Sequence, residues 1–176
     1  QIDAVKLYER NDAHRMIEEC MIAANVAAAK FLKRSRVPAL YRVHPRPPTH
    51  KYEELAEFMG TIGMPLPAYE DLKPEDLMAI LARAKTRPDG ALIEAVVLRS
   101  QSLATYTADC DGHFGLALSA YAHFTSPIRR YPDLLVHRAI KAVLSGKTYD
   151  AGDWAALGVH CSETERRADD ATRDVE

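Results

Sequence analysis

The longest hydrophobic pattern in the sequence lies near its start. Asn11 is a residue type that caps helices, and basic residues gather close to position 34, where the C-terminal end of a helix dipole stabilises cations. Between these signals, residues 20–29 are apolar around the whole helical circumference except at Asn25. A helix that is apolar on every side is typical of one buried on every side. We therefore predict one long helix over residues 11–34 that is buried in a complete protein, and we expect this chain by itself to leave a large apolar patch of it exposed.

The rest of the chain alternates amphipathic segments with connections rich in proline and glycine. Helical spacing predicts further helices at residues 50–61, 73–85, 91–100, 133–144 and 153–176. Alternation at residues 39–44 and the β-prone triplet 105–107 predict short strands. The pair Asp111-Gly112 favours a tight turn, and residues 114–118 are expected to return as the second strand of a hairpin. The expected fold class is α+β, mainly helical with a few short strands.

Composition narrows the class of protein. The 176 residues are 47% hydrophobic and 27% charged, which is typical of a soluble globular chain. No apolar run approaches the ~20 residues that a membrane span needs, so we expect no membrane partner. An odd count of three cysteines favours a reducing compartment, and we expect a cytoplasmic protein. A net charge of −2 gives no overall basic field, so any site for nucleic acid must be local.

A first group of polar residues lies on the long predicted helix. His14, Glu18 and Asn25 fall within a sector of about 40° when each residue advances the helix by about 100°. Polar side chains on a buried helix need hydrogen-bond partners. They could line a ligand channel, but helix geometry alone favours a polar network with neighbouring backbone, because such networks are common.

A second group lies in residues 121–133. Ser126 followed by Pro127 predicts a helix start, after which the chain restarts a second helix at Pro132. Arg129 would then lie in the first turn, where a helix N-terminus attracts anions and tolerates a cation best beside a bound anion. This placement favours a phosphate at Arg129. The alternative is an ordinary helix start with Arg129 paired to a carboxylate, and in both cases Arg130 is expected to be solvated.

Metal and hydrolase patterns are weak by comparison. Asp109 and Asp111 could bind a metal from one strand face, but a turn explains Asp111 without a ligand. The seven histidines include no spacing typical of a zinc site. His123 and Ser126 could act as base and nucleophile of an unrelated hydrolase, yet no nucleophile elbow surrounds Ser126.

Three long strings resemble a known family. They are NDAHRMIEECMIAAN (Asn11–Asn25), HFGLALSAYAHFTSPIRRYPDLLVHRAIK (His113–Lys141) and ERRADDATRDV (Glu165–Val175). They are similar to the catalytic RNB domain of the ribonuclease II/ribonuclease R exoribonucleases, and most closely to the ribonuclease R branch. The resemblance covers essentially the whole chain. It implies that residues 1–176 are the C-terminal portion of the RNB domain, without its N-terminal half, the cold-shock-type domains or the S1 domain.

The resemblance implies a processive 3′→5′ exoribonuclease that hydrolyses single-stranded RNA to nucleoside 5′-monophosphates. In this family Mg²⁺ is held by an aspartate cluster in the N-terminal half of the domain, and no such string occurs here. We therefore expect Mg²⁺ as a cofactor of the complete enzyme only, no metal ligands in this segment, and no activity of the segment alone. The expected partners are single-stranded RNA and the missing N-terminal half.

The resemblance also assigns roles to individual residues. It makes Arg129 the catalytic arginine that contacts the scissile phosphate, and Glu18 a contact of the 3′-terminal nucleotide. The full set of expected RNA-binding residues is Glu18, Asn25, Tyr121, His123, Thr125, Ser126 and Arg130. The alternative from another class is a non-catalytic RNA-binding or structural fragment, which the absence of a metal-ligand cluster favours for this chain by itself.

Overall fold

The computed structural model describes residues 11–173. In chain order its elements are α1 (Asp12–Ser35), β1 (Tyr41–Val43), α2 (Thr49–Thr61), α3 (Pro74–Ala84), α4 (Gly90–Ser100), β2 (Thr105–Thr107), α5 (Tyr131–Leu144) and α6 (Trp154–Arg173). Single 3₁₀ turns cover Tyr69–Asp71 and Phe114–Leu116. The predicted mainly helical α+β class is confirmed. The predicted extension of the last helix beyond residue 173 lies outside the described residues.

Helix α1 begins with a reciprocal cap. The Asn11 side chain accepts a hydrogen bond from the His14 backbone N–H (3.1 Å), and His14 Nδ1 accepts one from the Asn11 N–H (3.3 Å). Two of the otherwise unpaired N–H groups of the first turn are thereby satisfied. The helix ends at Arg36, whose φ of 53° places it in the left-handed region. The predicted helix and its cap at Asn11 are confirmed.

Within the described residues, the burial predicted for α1 is found on one side of the helix, and an apolar face on the other side is exposed. Its C-terminal half packs against α5, and its buried residues are Asn25, Ala28, Ala29 and Leu32. On another face Met16 is 60% exposed and Ile17 is 54% exposed. The exposed stripe continues through Cys20, Ala23 and Ala27. We call Met16, Ile17, Cys20, Ala23 and Ala27 the α1 apolar stripe, because no part of the described chain covers it.

Three hydrophobic clusters hold the elements together. The first cluster lies between α1, α5 and β1. The second cluster lies between α2, α3 and α4 and includes Leu55, Met59 and Ile93. The third cluster joins α5 and α6 to β2 through Leu135, Tyr106 and Trp154. Within residues 11–173, no helix has the length and apolar character needed to cross a membrane.

The predicted hairpin after β2 is wrong. Strand β2 pairs antiparallel with β1, with Tyr41 opposite Thr107 and Val43 opposite Thr105. Residues 114–116 instead form a 3₁₀ turn. The reason is that this segment folds around His44, whose carbonyl accepts the Phe114 N–H at 2.8 Å. The strand partner therefore comes from a distant part of the chain rather than from the next segment.

Helix α6 lies directly on β2 because Gly158 has no side chain. The Ser162 hydroxyl accepts the Tyr106 N–H at 2.8 Å and donates to the Gly158 carbonyl at 2.8 Å. A Cβ added at Gly158 would approach the Tyr106 carbonyl oxygen to 2.6 Å. This contact fixes the distance between α6 and the strand that leads to the candidate site.

We expect Gly158→Ala to destabilise the chain by about 1–3 kcal/mol, because the added methyl group meets backbone that cannot rotate away. Urea unfolding of the purified chain measures the change. The matched control is Gly60→Ala within α2, where an added Cβ meets nothing within 4 Å. That change should be neutral or stabilise by up to about 1 kcal/mol. Equal effects at the two glycines would contradict the close packing of α6.

Candidate nucleic-acid interface

The segment between β2 and α5 is held against α1 by Asn25. This side chain is 3% exposed. Its Nδ2 donates to the Tyr121 hydroxyl (2.9 Å), and its Oδ1 accepts the backbone N–H groups of Phe124 (2.9 Å) and Thr125 (3.3 Å). The polar residues of α1 were expected either to line a ligand channel or to form a polar network with neighbouring backbone, and the contacts of Asn25 fit the network. Its predicted contact with RNA stays a prediction, since these polar atoms are bonded within the protein.

The residues after Thr125 do not begin a helix, so the predicted start at Ser126 is wrong. Residues 126–130 form one closed turn, in which the Ser126 carbonyl accepts the N–H groups of Arg129 (3.3 Å) and Arg130 (3.1 Å). Helix α5 begins only at Tyr131, with Pro132 in its first turn and Arg130 as its N-cap. We call residues 126–130 the arginine turn. The predicted restart of a helix at Pro132 is confirmed to within one residue.

The two arginines of the turn have different environments, and only that of Arg130 differs from the favoured expectation. Arg130 Nε and Nη2 both donate to the Asp133 carboxylate at 2.9 Å, and Asp133 is fully buried. The expectation that Arg130 is solvated is therefore wrong. Arg129 is exposed. Within residues 11–173 its side chain makes no ion pair or hydrogen bond, so the alternative that paired Arg129 with a carboxylate is wrong as well.

Arg129 lines a cavity of about 400 Å³ between the arginine turn and α6. Arg130, Tyr131 and Tyr106 line the same cavity from the side of the turn and the sheet, and Thr164 and Asp169 line it from α6. The cavity therefore combines an unpaired guanidinium with two aromatic rings. A guanidinium suits phosphate oxygens, and aromatic faces suit bases or sugars.

Beside this cavity lies a chain of partly buried polar contacts. Arg42 Nη1 pairs with Glu165 Oε2 at 2.6 Å, and its guanidinium lies 4.6 Å from the centre of the Tyr106 ring. The Tyr106 hydroxyl bonds to His123 Nδ1 at 2.9 Å. Burial, followed by the charges of Arg130 and Arg42, lowers the pKa of His123 to about 3. His123 is therefore neutral near pH 7 and takes part through hydrogen bonding rather than charge.

A row of rings continues from His123 away from the cavity. Tyr121 lies edge-on to His123 (5.8 Å between centroids) and to His113 (5.3 Å), and His113 stacks on His44 (5.0 Å). Burial, followed by the neighbouring His44, lowers the pKa of His113 to about 4. His113 Nδ1 and Thr125 Oγ1 are buried without a hydrogen-bond partner in the described part of the chain. The rings of this row are therefore uncharged near pH 7.

The structure brings most of the expected site residues together. One continuous wall joins α1 to the N-terminus of α5 and contains seven of these residues: Asn25, Tyr121, His123, Thr125, Ser126, Arg129 and Arg130. Glu18 is partly exposed on α1, two helical turns before Asn25 on the same face. It lies roughly 10 Å from Asn25 along the helix axis at about 1.5 Å per residue.

Several residues of the site were missed by sequence reasoning. Asp133 carried a usable signal, because it follows Arg130 by three residues, a spacing at which helical side chains meet. His137 was not singled out, yet it stacks on Phe124 at 4.1 Å and bonds to its carbonyl. The pair of Arg42 and Glu165 had no local signal, since 123 positions separate the two residues.

The described residues do not suit a metal ion. Between residues 11 and 173, no three His, Cys, Asp or Glu side chains come close enough together to hold one. A Mg²⁺ ion needs several oxygen ligands in near-octahedral geometry. The residues of this segment therefore do not fit the Mg²⁺ that the family resemblance implies.

Comparison with protein families decides what this fold is. The model of the RNB domain matches residues 1–146. The chain belongs to the RNB domain family. The resemblance proposed from the three strings is confirmed, and the arginine turn lies within the matched part of this RNB domain.

Curated relatives of this RNB chain are ribonucleases R. The protein from Escherichia coli (strain K12) is 44% identical over 188 residues, which cover 99% of this chain and 23% of the relative. The protein from Vibrio cholerae is 45% identical over 189 residues, with the same shares of 99% and 23%. The chain thus spans about a quarter of the length of these relatives.

Solved RNB structures share the fold. Mycoplasma genitalium RNase R in complex with ribose methylated single-stranded RNA has a TM-score of 0.85 and 26% identity, over 95% of this chain and 28% of the other. The same protein in complex with double-stranded RNA has a TM-score of 0.84 and 27% identity, over 93% and 31%. Yeast Ssd1, a pseudonuclease, has a TM-score of 0.74 and 27% identity, over 89% and 20%.

We expect the chain to lose stability in acid through His123. The folded chain keeps this histidine neutral until about pH 3, whereas the unfolded chain takes up a proton below its ordinary pKa of 6.5. The neutral His123 therefore makes its full contribution to the free energy of unfolding above about pH 6.5. That contribution is lost progressively as the pH falls toward 3. His123→Asn, which retains an acceptor for Tyr106, should reduce the loss of unfolding free energy between about pH 7 and pH 5.5 by about 1 kcal/mol.

Urea unfolding at the two pH values measures this difference. The matched control is His50→Asn on α2, because His50 is exposed in the folded chain. An unchanged acid sensitivity in His123→Asn would contradict a partly buried, neutral histidine beside the cavity.

Proposed function

We propose that this RNB segment works within a processive 3′→5′ exoribonuclease that hydrolyses single-stranded RNA to nucleoside 5′-monophosphates. The observation that carries the proposal is the unpaired guanidinium of Arg129 at the edge of the cavity. The ribonuclease R relatives and the RNA-bound RNase R structures support the substrate class. The segment contributes the phosphate-contacting arginine and the wall that receives the RNA 3′ end.

Arg129 is suited to a phosphate because the cations around it are already neutralised. Arg130 is paired with Asp133, and Arg42 is paired with Glu165. An incoming phosphate therefore meets one guanidinium that has no competing carboxylate within 4 Å in the described chain. The planar fork can bond two phosphate oxygens at once. Its contribution grows as negative charge develops at the scissile phosphate, which lowers the barrier to hydrolysis.

The wall beside Arg129 is proposed to receive the terminal nucleotide. His123, Thr125 and Ser126 are partly exposed between α1 and α5. Glu18 offers carboxylate oxygens that suit ribose hydroxyls, and the 2′-hydroxyl distinguishes RNA from DNA. Asn25 and Tyr121 are buried, so they act by holding this wall in shape. Arg130 acts through its ion pair with Asp133.

The catalytic Mg²⁺ is proposed to be held by residues outside the described chain. The side chains of residues 11–173 do not assemble a ligand set for it. The α1 apolar stripe is proposed to pack against the N-terminal half of the RNB domain, since an exposed apolar face of this kind marks an interaction surface. The segment would then complete a cavity whose metal ligands come from the other half, in a cytoplasmic enzyme.

A second candidate is a full-length protein that binds RNA but does not hydrolyse it. The similarity to yeast Ssd1, a pseudonuclease, favours this alternative, because an RNB fold alone does not require activity. The two candidates differ in product. The nuclease releases nucleoside monophosphates from labelled single-stranded RNA in the presence of Mg²⁺, and the pseudonuclease only retards the RNA in a binding assay.

We expect Arg129→Ala in the full-length protein to lower kcat by about 10²–10³-fold, as the loss of one donor to a developing negative charge does elsewhere. The Kd for single-stranded RNA should change little, because many contacts along the strand share the binding. Arg129→Lys should restore activity only in part, since the charge returns without the fork. Single-turnover hydrolysis and filter binding measure the two quantities.

Arg99→Ala on α4 is the control, because Arg99 is also exposed but lies outside the cavity. It should leave both kcat and Kd unchanged. Arg130→Ala is unsuitable as a control because Arg130 is paired with a buried carboxylate. A loss at Arg129 that appears only as weaker binding would contradict its role in the reaction.

We expect the purified chain of residues 1–176 alone to release no nucleoside monophosphate from labelled RNA with Mg²⁺. The physical reason is the missing set of metal ligands in its described part. Thin-layer separation of the products measures the outcome. Robust release of monophosphate would show that the ligands we place in the other half of the domain are not required.

A further inference from the structure

We propose that Asp133 is a positioning residue for Arg129. The inference rests on the proposed function, because it explains how the fold presents the arginine that contacts the phosphate. Asp133 is fully buried and does not line the cavity, so it does not touch the RNA. It acts on Arg129 only through the backbone of the arginine turn.

The Asp133 carboxylate holds both ends of that turn. Its Oδ1 accepts the Ser126 backbone N–H at 2.7 Å, at the first residue of the turn. Its Oδ1 and Oδ2 accept Arg130 Nη2 and Nε at 2.9 Å, at the last residue. Charge-assisted contacts of this length are among the stronger hydrogen bonds in proteins. One carboxylate therefore sets the spacing between the residues that flank Arg129.

The turn has little other support at its tip. Ile128 is 102% exposed, and Arg129 beside it is exposed as well. Pro127 has no N–H to donate and restricts its own φ. The remaining bonds within the turn run from the Arg129 and Arg130 N–H groups to the Ser126 carbonyl. The direction in which Arg129 leaves the backbone is thus determined by the clamp at Ser126 and Arg130.

The clamp is rigid because Asp133 belongs to the packed part of α5. Leu135 and Val136, two and three residues later, are both 0% exposed. An acidic residue at this third helical position usually caps its own helix by accepting the N–H of the N-cap residue. Here the N-cap residue is Arg130, and its N–H bonds to Ser126 instead. The Asp133 carboxylate therefore accepts its hydrogen bonds from the preceding turn. In this way it links the hydrophobic core to the position of Arg129.

A double-mutant cycle in the full-length protein tests this coupling. Single-turnover hydrolysis of labelled single-stranded RNA is compared for the unmodified protein, Asp133→Asn, Arg129→Ala and the double variant. We expect Asp133→Asn to lower kcat at least about 10-fold with little change in RNA Kd, because a misplacement of about 1 Å can cost 10²-fold in rate. In the Arg129→Ala background the same change should cost less than about 2-fold, since the group that it positions is gone.

Arg130→Lys is the milder second variant, in case Asp133→Asn does not fold. Lysine retains the charge beside Asp133 but lacks the fork that bonds both carboxylate oxygens. It should lower kcat in the unmodified background and add nothing to Arg129→Ala. The matched control is Asp89→Asn, because Asp89 also accepts a two-point contact from an arginine, Arg87, at 2.7 Å, and neither residue lines the cavity. This control should leave kcat unchanged in both backgrounds.

The outcomes separate the two proposals. If Arg129→Ala leaves hydrolysis unchanged, the proposed function of Arg129 fails. If Arg129→Ala slows hydrolysis but Asp133→Asn and Arg130→Lys cost the same factor in both backgrounds, the positioning role is overturned and Asp133 is merely structural. If Asp133→Asn and Arg130→Lys slow hydrolysis in the unmodified protein but not in the Arg129→Ala background, the positioning role is supported.

Discussion

A carboxylate with no access to water is the constraint on which the candidate site depends. An isolated buried charge is very costly, so Asp133 must be compensated by a cation and by hydrogen-bond donors. Arg130 and the Ser126 N–H meet that need. Removal of one partner from such a pair typically costs about 3–5 kcal/mol. The compensation closes the arginine turn, and the closed turn leaves Arg129 at the surface.

The distribution of charge around this turn explains how a chain of net charge −2 can offer an anion site. Arg42 is held by Glu165 and lies over the Tyr106 ring, and Arg130 is held by Asp133. His123 between them is neutral, because burial and these two arginines disfavour its protonated form. The positive charge that remains available at the cavity is therefore local and comes from Arg129. A local charge of this kind can act on one phosphate without a basic surface.

The wall beside the cavity depends on a second buried polar residue. Asn25 uses its amide to bind the side chain of Tyr121 and two backbone N–H groups of the next residues. Because these partners lie 96 to 100 positions further along the chain, the shape of the wall depends on the contact between α1 and the site segment. Gly158 fixes the opposite boundary, since it lets α6 approach the backbone of β2. The cavity lies between these two constraints.

The sequence by itself determined the helices, the cap at Asn11 and the family, because these depend on short-range signals and on long matching strings. It also indicated which segments carry the chemistry. Only the tertiary structure decided that β2 pairs with β1, that Arg130 pairs with the buried Asp133, and that Arg129 is unpaired. Propensities and spacing describe neighbours along the chain, whereas burial and ion pairing depend on which distant surfaces meet. The contact between Arg42 and Glu165 spans 123 positions, and no local pattern records it.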